Sequence, residues 1–236
     1  MISLGTGAIY LSMHDSYAPV MIDTIHNFAH CLSDKWYHMA ALLTCGSAIA
    51  WACSITGITT QMAMAELETR QHEPSNVVFL PYLDGVRTPH GNSQARGVFL
   101  GLDRAVSGID LIQAVVEGVT FALADAGQAL SSEGDTDASP LLLGGGAKSL
   151  YWAKLIATVL GRPVRRAVDA EAGSALGAAR LAMIGSGVGS VQEVCYSPHS
   201  EAIDPISNLS EQYRQRLQEF RSMYFASETF SRFPRS

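Results

Sequence analysis

No Asp, Glu, Lys or Arg occurs from Trp36 to Ala65, and a stretch of that kind has to be buried in something. A membrane span needs about 20 predominantly apolar residues, and this run is interrupted. Thr44, Ser47, Trp51 and Ser54 recur at helical spacing as a mildly polar stripe against Leu42, Leu43, Ile49, Ala50 and Ile55. The pattern predicts a helix packed inside a protein over 39–56, closed by Gly57. The whole chain leans the same way, with 47% hydrophobic and only 16% charged residues, where a soluble domain carries about 25% charged. Disorder is excluded, because such a chain buries enough apolar area to offset its ordering entropy. The charge deficit asks for a deep core or for a surface that expects a partner.

The net charge of −6 argues against nucleic acid as a ligand, since phosphate backbones are held by clustered Lys and Arg. The cluster of Arg162, Arg165 and Arg166 is too short for a groove and reads as a solvated strand edge. Cys31, Cys45, Cys53 and Cys195 show neither CxxC nor zinc spacing, which fits a reducing, cytoplasmic setting. His26 and His30 stand four apart without a supporting carboxylate or thiol pattern, so no metal is assigned to them. The opening ISLGTGAIYLSM lacks the basic n-region of a signal peptide.

Periodicity predicts strands on either side of a tight turn within 2–13, and short strands at 25–31 and 36–38. After the buried helix come an amphipathic helix near 60–70, an irregular stretch over 71–96, and a strand at 98–102. Ser107 caps a strong helix over 108–131. A strand at 140–143 runs into three glycines, followed by a helix at 149–160, a strand near 163–168, and helices at 172–184 and 207–226. With no repeat and no linker, this is one α/β domain.

Two glycine features have the chemistry to hold phosphate. Ser3-Leu4-Gly5-Thr6-Gly7 is a hairpin turn whose N–H groups and Thr6 hydroxyl can donate to phosphate oxygens. In Gly144-Gly145-Gly146-Ala147-Lys148-Ser149, glycines let a ligand approach the backbone and a helix N-terminus favours an anion. Neither is a Walker loop or a dinucleotide fingerprint. The segment Glu171–Ala179 clusters Gly173, Ala175, Gly177 and Ala179, which suits either a flat ligand or close helix packing. Asp84 and Arg87 read as candidate polar contacts or loop-bracing ion partners. No Ser-His-Asp order, paired carboxylates or HExxH motif is present.

The run GVFLGLD (Gly97–Asp103), followed by DLIQAVVE (Asp110–Glu117), matches the second signature of the FGGY carbohydrate kinases. The segment Phe79–His90 resembles the xylulokinase branch in particular. So do the stretch from Ile25 to Trp51 and the helix carrying Ala175–Ala182. The resemblance implies a ribonuclease-H-like domain of the actin, hexokinase and Hsp70 ATPase type, a mixed sheet with helices on both faces. It implies that residues 1–236 are a single C-terminal nucleotide-binding domain, with ATP and Mg as cofactors.

By the same resemblance, Gly5 and Thr6 belong to a phosphate loop in which the Thr hydroxyl meets the terminal phosphate. Gly145 and Gly146 cover the adenine and α-phosphate, with Ser149 in the polar position beyond. The family's general-base Asp stands just before the SLGT hairpin, hence upstream of Met1, and the sugar-binding N-terminal domain is expected to be absent as well. No catalytic residue is therefore assigned within the chain, and alone it is expected to be inactive. Val86 stands where xylulokinases have an acidic residue. The expected partners are a nucleotide and either the missing N-terminal kinase domain or a second copy of the chain, with no nucleic acid and no membrane. The alternative is a non-enzymatic module that pairs through its exposed inter-domain face.

Overall fold

A computed structural model describes residues 1–70, 72–131, 139–168 and 173–230. The strands are β1 (Ile2–Leu4), β2 (Ala8–His14), β3 (His26–Ala29), β4 (Trp36–Leu42), β5 (Val78–Leu80), β6 (Val98–Leu100), β7 (Leu141–Leu143), β8 (Val164–Ala167) and β9 (Ser200–Ile203). The helices are α1 (Gly46–Thr56), α2 (Thr60–Thr69), α3 (Gly108–Ser131), α4 (Leu150–Leu160), α5 (Gly173–Gly185), α6 (Val191–Val194) and α7 (Ser210–Phe230). Seven strands form one mixed sheet in the order β3-β4-β2-β1-β7-β8-β9, while β5 and β6 pair separately. β1 is antiparallel to β2 but parallel to β7, and β7 is parallel to β8.

The register places Ile2, Leu4, Ala8, Tyr10, Ala40, Leu42 and Leu142 on one sheet face, and all are buried. α3 crosses that face over β2 and β4, and α1, α4 and α7 pack around it. The other face is open along β2, where Ile9 is 37% and Met13 52% exposed. At the β7 end α5 approaches it: a Cβ on Gly173 would lie 3.8 Å from Leu143. The chain is thus a mixed sheet with helices packed on it, as expected. Among the described residues no helix is long and apolar enough to cross a membrane.

Several element expectations hold, and the departures have physical causes. The helix expected over 39–56 begins only at Gly46, because Met39–Leu42 continue β4. Ala40 and Leu42 alternate with Met39 and Ala41 against β2, and a short apolar run reads equally well at either period. The 71–96 stretch contains β5, whose fully apolar VFL pairs with β6. β8 is not an edge, since β9 covers it. The arginines of the cluster are engaged: Arg166 pairs with Glu201 and donates to the Lys148 carbonyl, Arg165 donates to the Ser139 carbonyl, and Arg162 donates to the Tyr10 hydroxyl. Gln71, Glu171, Ala172 and residues 231–236, which the sequence reading included, lie outside the described residues.

α3 packs so closely that a Cβ on Gly118 would sit 2.2 Å from the Phe79 carbonyl oxygen. One turn of the helix faces the segment before β5, and there Glu117 is completely enclosed. Its carboxylate accepts from the Ser75 N–H (2.9 Å) and the Gln113 amide (3.0 Å), and lies near the hydroxyl of Tyr213 on α7. Burial pushes its pKa up from 4.5 to about 7, against the hydrogen bonds from Gln113 and Ser75 and the charge of Arg216. Tyr151 faces the same pocket of charge, and burial with Glu117 beside it raises the phenol further.

Between pH 4.5 and about 7 the folded chain therefore holds a proton that the unfolded chain releases. Stability from this group is present below that window and is lost as pH rises through it. Urea unfolding measured from pH 4.5 to 7.5 should show that decline in the wild type and a flatter profile in Glu117→Gln. Parallel profiles would show that Glu117 titrates normally.

Candidate functional site

β1 and β7 run parallel with Ser3 opposite Leu143, so the chain leaves both strands at the same end of the sheet and side by side. Ligands of open α/β sheets gather outside the carboxyl ends of parallel strands, where loops diverge. Both glycine features of the sequence fall at this point.

The first turn, Gly5–Gly7, is held from below by α1. The Gly5 carbonyl accepts from the Gly46 N–H (2.9 Å), and the Thr6 carbonyl accepts from the N–H groups of Cys45 (2.9 Å) and Ser47 (3.0 Å) and from the Ser47 hydroxyl (3.0 Å). The first N–H groups of α1 are therefore spent on the turn and are closed to an anion. A Cβ on Gly46 would come within 2.7 Å of the Gly5 oxygen, so this joint admits only glycine. Gly5 donates its own N–H to the Gly7 carbonyl (3.0 Å), which removes it as a phosphate donor. What the turn leaves open is the N–H groups of Thr6 and Gly7 and the exposed Thr6 hydroxyl, which takes no partner among the described residues.

The second turn follows β7. The glycines do not enter an α-helix directly but form a 3-10 turn, Gly145–Lys148, before α4. Their roles differ. Gly144 has φ +88°, and Gly146 lies against Trp152 and Leu4, 2.5 and 2.8 Å from where a Cβ would be. Packing thus explains both. Gly145 is exposed and a Cβ there would meet nothing within 4 Å, which leaves its bare backbone facing open space beside Leu4 and the first turn. Ser149 caps α4 by accepting from the Trp152 N–H (3.2 Å), and its hydroxyl proton stays available to donate.

Gly46 and Ser47 belong to this arrangement; from sequence Ser47 reads only as part of a polar helical stripe, and Gly46 carries no site role. The signal was a glycine and a serine directly before an apolar helical run, masked by starting that helix seven residues early. Ala50, one turn along α1 from Gly46, is exposed on the same side. α5, with Gly173, Ala175, Gly177 and Ala179, has no buried residue among those described, so close packing inside this chain does not account for its small residues. Asp84 and Arg87 are both exposed and form no ion pair among the described residues. The loop they occupy is braced by Thr88 instead, whose hydroxyl donates to Thr24 and accepts from the Ala41 N–H. Val86 is part of the core. Among the described residues no group of three His, Cys, Asp or Glu side chains is placed to hold a metal ion.

A mixed sheet of this order, with helices packed on it, has the ribonuclease-H-like fold. Residues 1–186 match the C-terminal domain of the FGGY family of carbohydrate kinases, and the chain belongs to that family. It is 34% identical over 227 residues to a xylulose kinase of Escherichia coli K12, covering 95% of this chain and 47% of that protein. It is 36% identical over 185 residues to one of Klebsiella pneumoniae, covering 78% and 38%. Among solved structures, a xyloylose kinase from Brucella ovis superposes with a TM-score of 0.90 at 36% identity over 97% of this chain and 48% of that one. A ligand-bound xylulose kinase from Lactobacillus acidophilus superposes at 0.82 and 22% identity, over 96% and 47%, and supports the fold alone. The chain spans about half the length of the curated relatives it matches most fully.

The unequal roles of the glycines are testable. Gly146→Ala should cost about 1–3 kcal/mol in urea unfolding, because the methyl overpacks Trp152 and Leu4. Gly145→Ala should stay within about 0.5 kcal/mol of wild type. Equal losses would mean that Gly145 is also a packing glycine.

Proposed function

We propose that this chain is the nucleotide-holding half of a sugar kinase that moves a phosphoryl group from ATP to D-xylulose or a related pentulose. The observation that carries the reading is the meeting of the Gly5–Gly7 turn and the Gly144–Ser149 turn at the ends of β1 and β7. The residues present fit a nucleotide. Gly145 offers uncovered backbone for the adenosine end, and the Ser149 hydroxyl is available to donate beside it. The Thr6 and Gly7 N–H groups and the Thr6 hydroxyl suit the β- and terminal phosphates. Gly5 contributes by pinning the turn to α1. Bound ATP would supply the phosphoryl group, with Mg carried on its phosphates.

Residues 1–236 act in this reading as one C-terminal domain. Phosphoryl transfer depends on positioning within a closed site. The general-base Asp and the sugar contacts would come from an N-terminal half such as the relatives' additional length provides, so the isolated chain is expected to be inactive. A docking face for that half would be offered by α5, where the exposed Leu176 and Met183 stand two turns apart on one side of the helix. The same face favours the second reading, a non-catalytic nucleotide-binding module that pairs with a copy of itself. In both readings the protein works in the cytoplasm, without nucleic acid or membrane as partner.

Calorimetry with millimolar Mg-ATP should show binding to the chain alone and no pentulose phosphorylation until an N-terminal kinase half is added. Thr6→Val should weaken ATP by about tenfold and ADP by less. Absence of nucleotide binding would sink both readings, and equal effects on ATP and ADP would remove Thr6 from the terminal phosphate. Sizing chromatography separates the two readings: a monomer that gains activity with the added half supports the kinase.

A further inference from the structure

The turn that would meet the terminal phosphate brings only neutral donors, and the chain as a whole has a net charge of −6. Transfer of a phosphoryl group needs fixed positive charge where the oxygens crowd. One cation on a loop at the same end of the sheet is unengaged among the described residues, and its surroundings show how it is held.

Arg87 lies between two buried residues. Val86 on one side is 5% exposed and Thr88 on the other is 0% exposed. The Val86 N–H donates to the Asn92 carbonyl (2.9 Å) and the Gly91 N–H to the Arg87 carbonyl (2.6 Å), which closes the loop on itself. Thr88 fixes the loop to the sheet: its hydroxyl donates to the Thr24 carbonyl (2.8 Å) and accepts from the Ala41 N–H (3.2 Å), and its own N–H reaches the Ala41 carbonyl (3.4 Å). The backbone under Arg87 is thus tied at several points. Its side chain is exposed and makes no hydrogen bond or ion pair among the described residues. A guanidinium on so fixed a base can take an anion while only its side chain is ordered.

Its position relates it to the turn. Arg87 lines a small cavity together with Leu42, Leu43 and Thr44, where β4 leaves the sheet toward α1. Gly7 rests on the same strand end from the β2 side, its Cβ position 2.6 Å from the Leu42 oxygen and 3.3 Å from that of Leu43. Ala41 uses its backbone groups on the opposite edge to hold Thr88. The Gly5–Gly7 turn and Arg87 therefore flank one end of β4 at the strand ends where the two glycine turns meet.

We propose that Arg87 is the cationic clamp of this half-site, its guanidinium gripping oxygens of the terminal phosphate of a nucleoside triphosphate held on the Gly5–Gly7 turn. The inference rests on the nucleotide-binding reading and adds the source of its positive charge. Val86 is packed into the core and brings no carboxylate next to the clamp, and Asp84 of the same loop makes no ion pair with Arg87.

The test uses the chain with Arg87→Gln, Arg87→Lys and, as a charge control, Arg104→Gln in the exposed loop before α3. Each is titrated with Mg-ATP and Mg-ADP by calorimetry, with urea midpoints measured in parallel. Arg87→Gln should lose about tenfold in ATP affinity and change ADP affinity by less than about twofold. Arg87→Lys should fall between and Arg104→Gln should match wild type. A wild type that binds ATP but is matched by Arg87→Gln would overturn the clamp and leave the nucleotide reading standing. Equal loss of ATP and ADP would overturn its assignment to the terminal phosphate. A wild type that binds neither nucleotide would overturn both. Were the glutamine variant less stable, the lysine variant, which keeps the charge and loses the fork, would decide by the same ratio.

Discussion

From Ile112 to Gly127 every residue of α3 is buried, so each polar group on it needs a partner inside the protein. Those partners come from different parts of the chain. Gln113 donates to the Glu73 carbonyl and Glu117 holds the Ser75 N–H, which fixes the segment before β5. Thr120 accepts from the Trp152 indole of α4, and Asp125 pairs with Arg221 of α7. Gly118 lets β5 lie flush on the helix. One buried helix thus sets the places of α4, α7 and the β5–β6 pair. Through Trp152, which also packs on Gly146, it sets the place of the second glycine turn.

The candidate site depends on that frame in two ways. Its turns meet because β1 and β7 are parallel neighbours, an arrangement that needs the long crossover which α3 occupies. The first turn keeps its shape because α1 spends its N-terminal N–H groups on the Gly5 and Thr6 carbonyls. A helix terminus that could have attracted an anion is used to brace the loop, and the donors left for a ligand are those of Thr6 and Gly7. In the proposed nucleotide site charge would come from elsewhere, and Arg87 stands on a loop tied to the far edge of the same strand end.

Much of this was legible from residue order. The Gly5–Gly7 and Gly144–Gly146 turns, the limits of α3 and the family signature over Gly97–Glu117 are local patterns, and local patterns survive any arrangement in space. The strand end at Met39–Leu42 was misplaced because an apolar run does not distinguish period two from period 3.6. β9 was missed because SEAI carries no alternation, and it is a strand through pairing with β8.

Composition and motif by themselves determined that the chain is charge-poor and α/β with two glycine turns, since glycine spacing and hydrophobic period are properties of neighbouring residues. Only the tertiary structure decided which glycines face open space and which are filled by Trp152 and Leu4. It also decided that the Gly5 N–H is spent, that Gly46 and Ser47 hold the turn, and that Arg87 stands unpaired among the described residues on a loop tied to the other edge of β4. Each of those facts depends on contacts between residues far apart in the chain, and distance through space is what a linear order does not contain.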